Sequence, residues 1–245
     1  MIVKSKGIVF NHIKYSESSI ITTIYTEKHG RLTFIVNNAR TSKSKIKVNI
    51  FQPLVLINFD YYYNKKKDIH RIKEIQINNP FISIPFNIYK CTIIIFLAEI
   101  LEKAIKEEEP NKDLFEFIYD SVISLDSIEE KFSDFHIKFL IRITKFLGFY
   151  PVNNYSEINK FFNLKDGMFI SDSLLQQYCL DKESSKYFFH FFSNSVSEIN
   201  LTGKDRKLIL ENIISYYYLH LDGIKEIKSL KVLNEVFENG NYEQV

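Results

Sequence analysis

At 245 residues, 45% hydrophobic and with only 7 Gly and 5 Pro, the chain has the composition of one large or two modest globular domains, which excludes a disordered polypeptide. The net charge of +2 hides an asymmetry: residues 1–80 hold 14 Lys+Arg against 5 Asp+Glu, a net of +9, and residues 81–245 hold 18 against 25, a net of −7. A basic module joined to an acidic one suits polyanion binding in the first and a separate partner surface in the second.

Residues 2–14 are dense in β-branched side chains and read as a strand, followed by strands at 18–25 and 31–36. Gly30, ending the turn Glu27-Lys28-His29-Gly30, makes the last two a hairpin. A fourth strand spans 51–60, with Pro53 near its start, and a fifth spans 70–77. Five short strands with little room for helix predict a closed barrel of OB type, with a split sandwich as the competing fold. From residue 86 the apolar spacing changes to three or four residues. Ile88, Cys91, Ile95, Ala98, Leu101 and Ile105 mark one face of a long helix ending near Pro110. Further helices are expected at 113–125, 128–147 (closed by Gly148), 172–180, 184–193, 204–221 (capped by Thr202) and 229–237, with 151–171 irregular around an Asp166-Gly167 turn. The expected fold is α+β and multidomain: a five-stranded OB-type barrel at 1–80, then an all-α helical domain at 81–245.

Residues 37–47 form a hydroxyl-rich cationic loop carrying Arg40, Lys43, Lys45 and Lys47, and no carboxylate occurs between Glu27 and Asp60. Such a loop is either a solvated surface or a phosphate contact. The turn Lys65-Lys66-Lys67 follows Tyr61-Tyr62-Tyr63. In a strand, Tyr61 and Tyr63 share one face and Tyr62 takes the other, so at least one ring meets solvent beside the lysines. Bases stack on such rings while lysines neutralise the backbone, and Tyr61 or Tyr63 are the candidates. Arg31 and Arg71 add to a positive field if the barrel gathers these loops on one surface.

Catalytic patterns are lacking. The seven glycines are isolated, no phosphate-cradling loop is present, and the six histidines have no acid or second histidine at ligand spacing. Glu107, Glu108 and Glu109 read as a solvated helix end. Cys91 and Cys179 cannot build a four-ligand zinc site, so they are either a single disulfide or buried thiols, and neither metal nor cofactor is expected. No apolar run is long enough for a bilayer span and the N-terminus has no apolar leader core, which predicts a soluble, cytoplasmic protein without a membrane partner. Residues 135–149 mix the cations Lys138, Arg142 and Lys145 with large apolar groups including Leu147 and Phe149. That is either an amphipathic core helix or a dock for an acidic, hydrophobic peptide tail.

In combination, several segments resemble the bacterial recombination mediator RecO family: Lys6-Gly7-Ile8-Val9, Tyr15-Ser16-Glu17-Ser18-Ser19-Ile20-Ile21, Tyr25-Thr26-Glu27-Lys28-His29-Gly30-Arg31-Leu32, the Ala39-Arg40 to Lys47 loop, and Phe51-Gln52-Pro53-Leu54. Ser83-Ile84-Pro85, Phe96-Leu97-Ala98-Glu99 and Phe139-Leu140 to Leu147-Gly148-Phe149 extend the match over nearly the whole chain. The resemblance implies an OB-fold domain at 1–80 and a helical domain after it. It implies binding of single- and double-stranded DNA, ATP-free annealing and, with RecR, loading of recombinase onto strands coated by single-strand-binding protein (SSB). It also implies a dock for the SSB C-terminal tail, for which Lys138, Leu147 and Phe149 are the matching positions. Some members carry a four-cysteine zinc site near residues 161–169. No cysteine occurs there in this chain, so a loop held by packing is expected instead. A protein-interaction adaptor or RNA-binding OB module is the alternative.

Overall fold

The computed structural model describes residues 1–41, 44–172, 177–193, 201–224 and 226–238. In chain order these form β1 (Ile2–Lys14), β2 (Ile20–Thr26), β3 (Gly30–Val36), β4 (Leu56–Tyr62) and β5 (Ile69–Ile77). There follow α1 (Ile88–Ala104), α2 (Lys112–Ser127), α3 (Phe135–Ile143), a hairpin of β6 (Phe161–Asn163) and β7 (Met168–Ile170), α4 (Lys182–Phe192), α5 (Gly203–His220) and α6 (Lys228–Glu238). Two compact bodies result. One holds Met1–Glu129 with Ile227–Val236; the other holds Glu130–Glu226 and the chain from Phe237.

The five strands close a barrel in the order β1-β2-β3-β5-β4, the OB-type topology, which removes the sandwich alternative. β1 is long enough to serve two neighbours. Ile2–Ile8 pair with β4 and Gly7–Lys14 with β2, with a bulge between Val9 and Asn11. The ring closes through a parallel contact of only three residue pairs, Thr33–Ile35 of β3 with Ile69–Arg71 of β5. Val9, Ile24, Phe34, Phe51, Ile57, Phe59 and Tyr61 fill the interior. Beyond the three paired residues, Ile46, Val48 and Ile50 pack against this core.

α1 buries Ala98, Leu101 and Ile105 of the expected apolar face and corrects the rest. Ile88 and Ile95 are 61% and 43% exposed, whereas Ile93, Ile94, Leu97, Ile100 and Leu101 are buried. The helix is apolar nearly all round, so spacing alone could not select the buried stripe. Lys90 is buried too. Its ammonium donates to Ser83 Oγ at 2.7 Å and to the Asp126 and Ile128 carbonyls, and burial lowers its pKa against the pull of Asp126 and Glu129. The Asp126 carboxylate accepts the N–H groups of Ile82, Ser83 and Ile84 at 2.8–2.9 Å. Lys90 and Asp126 together clamp the linker that leaves the barrel.

The helix expected at 128–147 is shorter, because Lys131 has φ +58° and breaks it before Phe135. Of the helix expected at 172–180, residues 173–176 lie outside the described residues; residues 177–180 are not helical, with Leu180 N–H donating to Phe162 O and the Tyr178 carbonyl accepting from Leu164 N–H beside the β6–β7 hairpin. Phe162 anchors that hairpin, packed against Phe169, Phe188, Phe192 and Tyr216 at centroid distances of 4.9–5.9 Å. Thr202 and Asp205 form the capping box of α5.

Glu99 on α1 accepts the Lys228 and Ser229 N–H groups and the Ser229 hydroxyl, and pairs with Lys103 at 2.7 Å. Burial raises its pKa, but Lys103, Ser229 and the two amides outweigh burial and hold it at about 2. A carboxyl depressed in the fold stabilises it above the unfolded value near 4.5, and that stabilisation is lost as pH falls toward 2. Thermal melts between pH 7 and 2.5 are expected to lose about 1–2 kcal/mol from this group after allowance for solvent screening. Glu99→Gln is expected to flatten that part of the profile; an unchanged profile would show that Glu99 does not anchor the start of α6.

Candidate nucleic-acid interface

On the outer face of the barrel, Tyr62 of β4 pairs with Arg71 of β5. The alternation that buries Ile57, Phe59 and Tyr61 turns Tyr62 outward, 51% exposed. With Met1, Tyr63, Asn64, Lys67, Ile69 and His70 these residues line a groove of about 580 Å³ that contains no carboxylate. The N-terminal ammonium donates to Tyr63 O at 2.9 Å, adding a cation at the rim. Lys65, Lys66, Lys67 and Arg71 are exposed. The lysine turn is shaped by Asn64, whose carbonyl and side-chain oxygens accept the Lys67 and Lys66 N–H groups, so the ammonium groups are not used in folding it.

Tyr61 is corrected as a base platform. It is 0% exposed, its hydroxyl bonds His29 Nδ1 at 2.6 Å, and burial pushes its pKa up to about 12. A ring inside the barrel cannot stack on a base, and Tyr62 is the tyrosine that solvent reaches. The same alternation in Asn58, Asp60 and Tyr62 was the sequence signal for this.

The two basic loops line different grooves. β3 and β5 run parallel, so the loop following β3 and the turn preceding β5 leave the pair at opposite ends. Lys45 instead lines a second groove, about 720 Å³, with Lys4, Lys6, Lys28 and Lys73, where Glu27, Asp60 and Glu74 intersperse the cations. Lys45 and Lys47 are exposed because Ile46 and Val48, between and after them, tuck against the core. Lys43 lies outside the described residues. Arg40 is exposed but donates to the Ser16 and Glu17 carbonyls at 3.3 and 3.1 Å, tying the loop to the β1–β2 turn. Arg31 is half-buried, and its guanidinium donates to Ile105 O at the end of α1. Both arginines therefore hold the fold as well as adding charge.

Behind the acid-free groove lies a column of rings that sequence reasoning missed. Tyr63 stacks on His29 at 3.8 Å and 17°, and on His70 at 5.2 Å and 5°. His70 is 4% exposed and, among the described residues, neither ring nitrogen has a hydrogen-bond partner. Burial, then His70 and Lys28, lower the His29 pKa, which keeps that ring uncharged at neutral pH.

In the second body, Lys138, Arg142 and Lys145 are exposed at positions 138, 142 and 145, along one side of α3 and its continuing turn. Leu147 is half-buried. Phe149 is held inward by Tyr216, Tyr217 and His220 at 5.3–5.6 Å, and its carbonyl accepts the Tyr216 hydroxyl at 2.6 Å. Among the described residues no group of His, Cys, Asp and Glu could hold a metal ion, and no helix is long and apolar enough to cross a membrane.

Comparison with known proteins gives one consistent result. Residues 1–81 match the family model "Recombination protein O N terminal" and residues 85–231 match "Recombination protein O C terminal". The chain is 36% identical over 244 residues to a protein of Bacteroides fragilis named DNA repair protein RecO, covering 97% of this chain and all of that one. Proteins of the same name from Phocaeicola vulgatus and Flavobacterium psychrophilum are also 36% identical, over 247 and 242 residues, with the same coverage.

Proposed function

The chain belongs to the RecO family, and on that premise we propose that it is a non-enzymatic mediator of DNA repair and recombination that binds single- and double-stranded DNA and anneals complementary strands without ATP. The observation that carries this reading is a groove on an OB-type barrel with no carboxylate among its described lining, where the exposed ring of Tyr62 shares the lining with Lys67 and Arg71. Single strands are held by that combination, bases on rings and phosphates on cations. The second groove, with three acids among its lysines, suits phosphates less well; Lys45 lines it, and exposed Lys47 follows in the same loop as an outer contact. Annealing then follows from charge neutralisation: two strands on one cationic surface pair because their mutual repulsion is screened.

Residues 1–80 are read as the DNA-binding part and residues 81–245 as the partner-binding part. The partners are RecR, and the C-terminal tail of SSB against the cations Lys138, Arg142 and Lys145 beside Leu147 and the outer edge of Phe149. Family membership supports these assignments, as does the net charge of −7 after residue 80.

The test is a fluorescence annealing assay on bare and SSB-coated complementary strands. Wild-type protein is expected to speed pairing on both without nucleotide. Lys45→Ala/Lys47→Ala, with Arg40 kept to preserve the loop, is expected to weaken DNA affinity about three- to tenfold, at roughly one phosphate contact per lysine. Equal affinity for double-stranded RNA with no annealing would instead identify an RNA-binding or adaptor module.

A further inference from the structure

We propose that Asp60 and Glu74 form an anionic stop at one end of the single-strand groove, holding the bound strand to a short footprint over Tyr62, Lys67 and Arg71. The proposal rests on the single-strand reading of that groove and adds the residues that set how far along the barrel the strand reaches. Three observations carry it.

The first is register. The outward side chains of β1, β4 and β5 fall into cross-strand rows: Ile2, Tyr62 and Arg71 in one, Lys4, Asp60 and Glu74 in the next, then Lys6, Asn58 and Gln76. Successive rows are two residues apart along β4, about 7 Å. A strand that leaves Tyr62 along β4 therefore meets two carboxylates at the first row it reaches. The second is the strain of the arrangement. Asp60 and Glu74 are direct partners across β4 and β5, and like charges in that relation oppose the pairing. Lys4 and Lys73 stand 4.0 Å from them, and the Lys4 and Glu74 side chains are 84% and 74% exposed, so these long, solvated ion pairs offset little of it. The third is the charge balance of the two grooves. Five lysines line the groove beyond the stop, against Lys67, Arg71 and the N-terminal ammonium in the first, so without acids it would draw the strand onward. Glu27, Asp60 and Glu74 reduce it to +2, below the +3 of the first groove. A repulsive element beside an attractive one limits what is bound, and a short footprint lets the strand go once it has paired.

Asp60→Asn/Glu74→Gln keeps both shapes and removes both charges. It is titrated with fluorescent oligothymidylates of increasing length, beside Glu17→Gln/Glu116→Gln, which removes the same charge from exposed positions outside both grooves. The first variant is expected to bind long oligonucleotides about tenfold more tightly near 0.1 M salt. Its log–log salt dependence should steepen by about 0.7–1.4 units, for one or two added phosphates, and its affinity should keep rising at lengths where the wild type has levelled off. The control is expected to gain less than about twofold and to level off at the wild-type length. Glu74→Gln alone, at an exposed side chain, should show about a threefold gain and keeps the test open if the double variant folds poorly. Wild-type affinity and levelling length in these variants would overturn the proposal, as would an equal gain in the control. The underlying reading fails separately: it falls if neutralising Lys65, Lys66, Lys67 and Arg71 leaves affinity unchanged. If that variant loses affinity and Asp60→Asn/Glu74→Gln gains none, only the stop falls.

Discussion

Replacing Lys65, Lys66, Lys67 and Arg71 together by alanine is expected to lower single-stranded DNA affinity roughly 100-fold near 0.1 M salt. The same change should flatten the log–log salt dependence by about two to three units, since each phosphate contact on a single strand contributes about 0.7 to the slope. All four side chains are exposed, and the turn is built by Asn64 oxygens accepting main-chain N–H groups. Stability should therefore stay within about 0.5 kcal/mol of wild type. Arg71 stands across the strand pair from Tyr62, so its loss removes a cation beside the exposed ring. Filter binding or anisotropy at four or five salt concentrations decides the matter, and an unaltered slope would move the DNA path off this groove.

Gly30→Ala is expected to cost about 3 kcal/mol and to lower Tm by about 10 °C. Gly30 has φ +64°, and a Cβ there would stand 2.4 Å from Glu109 O and 2.9 Å from Glu107 O. Those atoms are backbone, and Glu107 O is already engaged by the Arg31 N–H at 3.1 Å, so the segment after α1 cannot retreat without breaking that bond. Gly148→Ala is the control. It has φ +84° but nothing within 4 Å of the added carbon, so it should show the backbone cost alone, about 1 kcal/mol. Calorimetry of the two variants separates conformation from close approach. Equal losses would mean that the contact between the β2–β3 turn and residues 107–109 contributes nothing.

The barrel was legible because its strands carry local signals: β-branched density, the glycine turn, and the return of apolar residues after each polar stretch. The position of the basic loop was legible too, since nothing large and apolar occurs in it before Ile46. The choice of tyrosine went wrong where a readable signal was passed over, because Asn58 and Asp60 mark the outward face on which Tyr62 falls. The ring column was not legible at all. His29 comes from a turn, Tyr63 from the end of β4 and His70 from the start of β5; the β4–β5 hairpin sets the last two together, and only barrel closure brings His29 to them. The role of residues 107–109 was hidden for another reason. Their side chains read as a solvated acidic run, whereas backbone carbonyls of Glu107 and Glu109 meet the turn at Gly30. The run at 172–180 has local helical spacing, but its last residues, Tyr178 and Leu180, are claimed by main-chain bonds to Leu164 and Phe162.

The three-pair join between β3 and β5 has a consequence for the order in which the molecule assembles. β1 with β2, β2 with β3, and β4 with β5 are neighbours in sequence and can pair early, at small loop-closure cost. β3 meets β5 across 36 residues, through the shortest of the barrel's ladders, and β1 meets β4 across 48 to 60. A chain that has made its hairpins already displays nearly all of its positive charge, so it attracts nucleic acid before it is finished. Only when the long-range joins form does His29 arrive beside Tyr63, which the β4–β5 hairpin has already set against His70. Charge marks a chain that has begun to fold, and the ring column marks one that has completed its barrel.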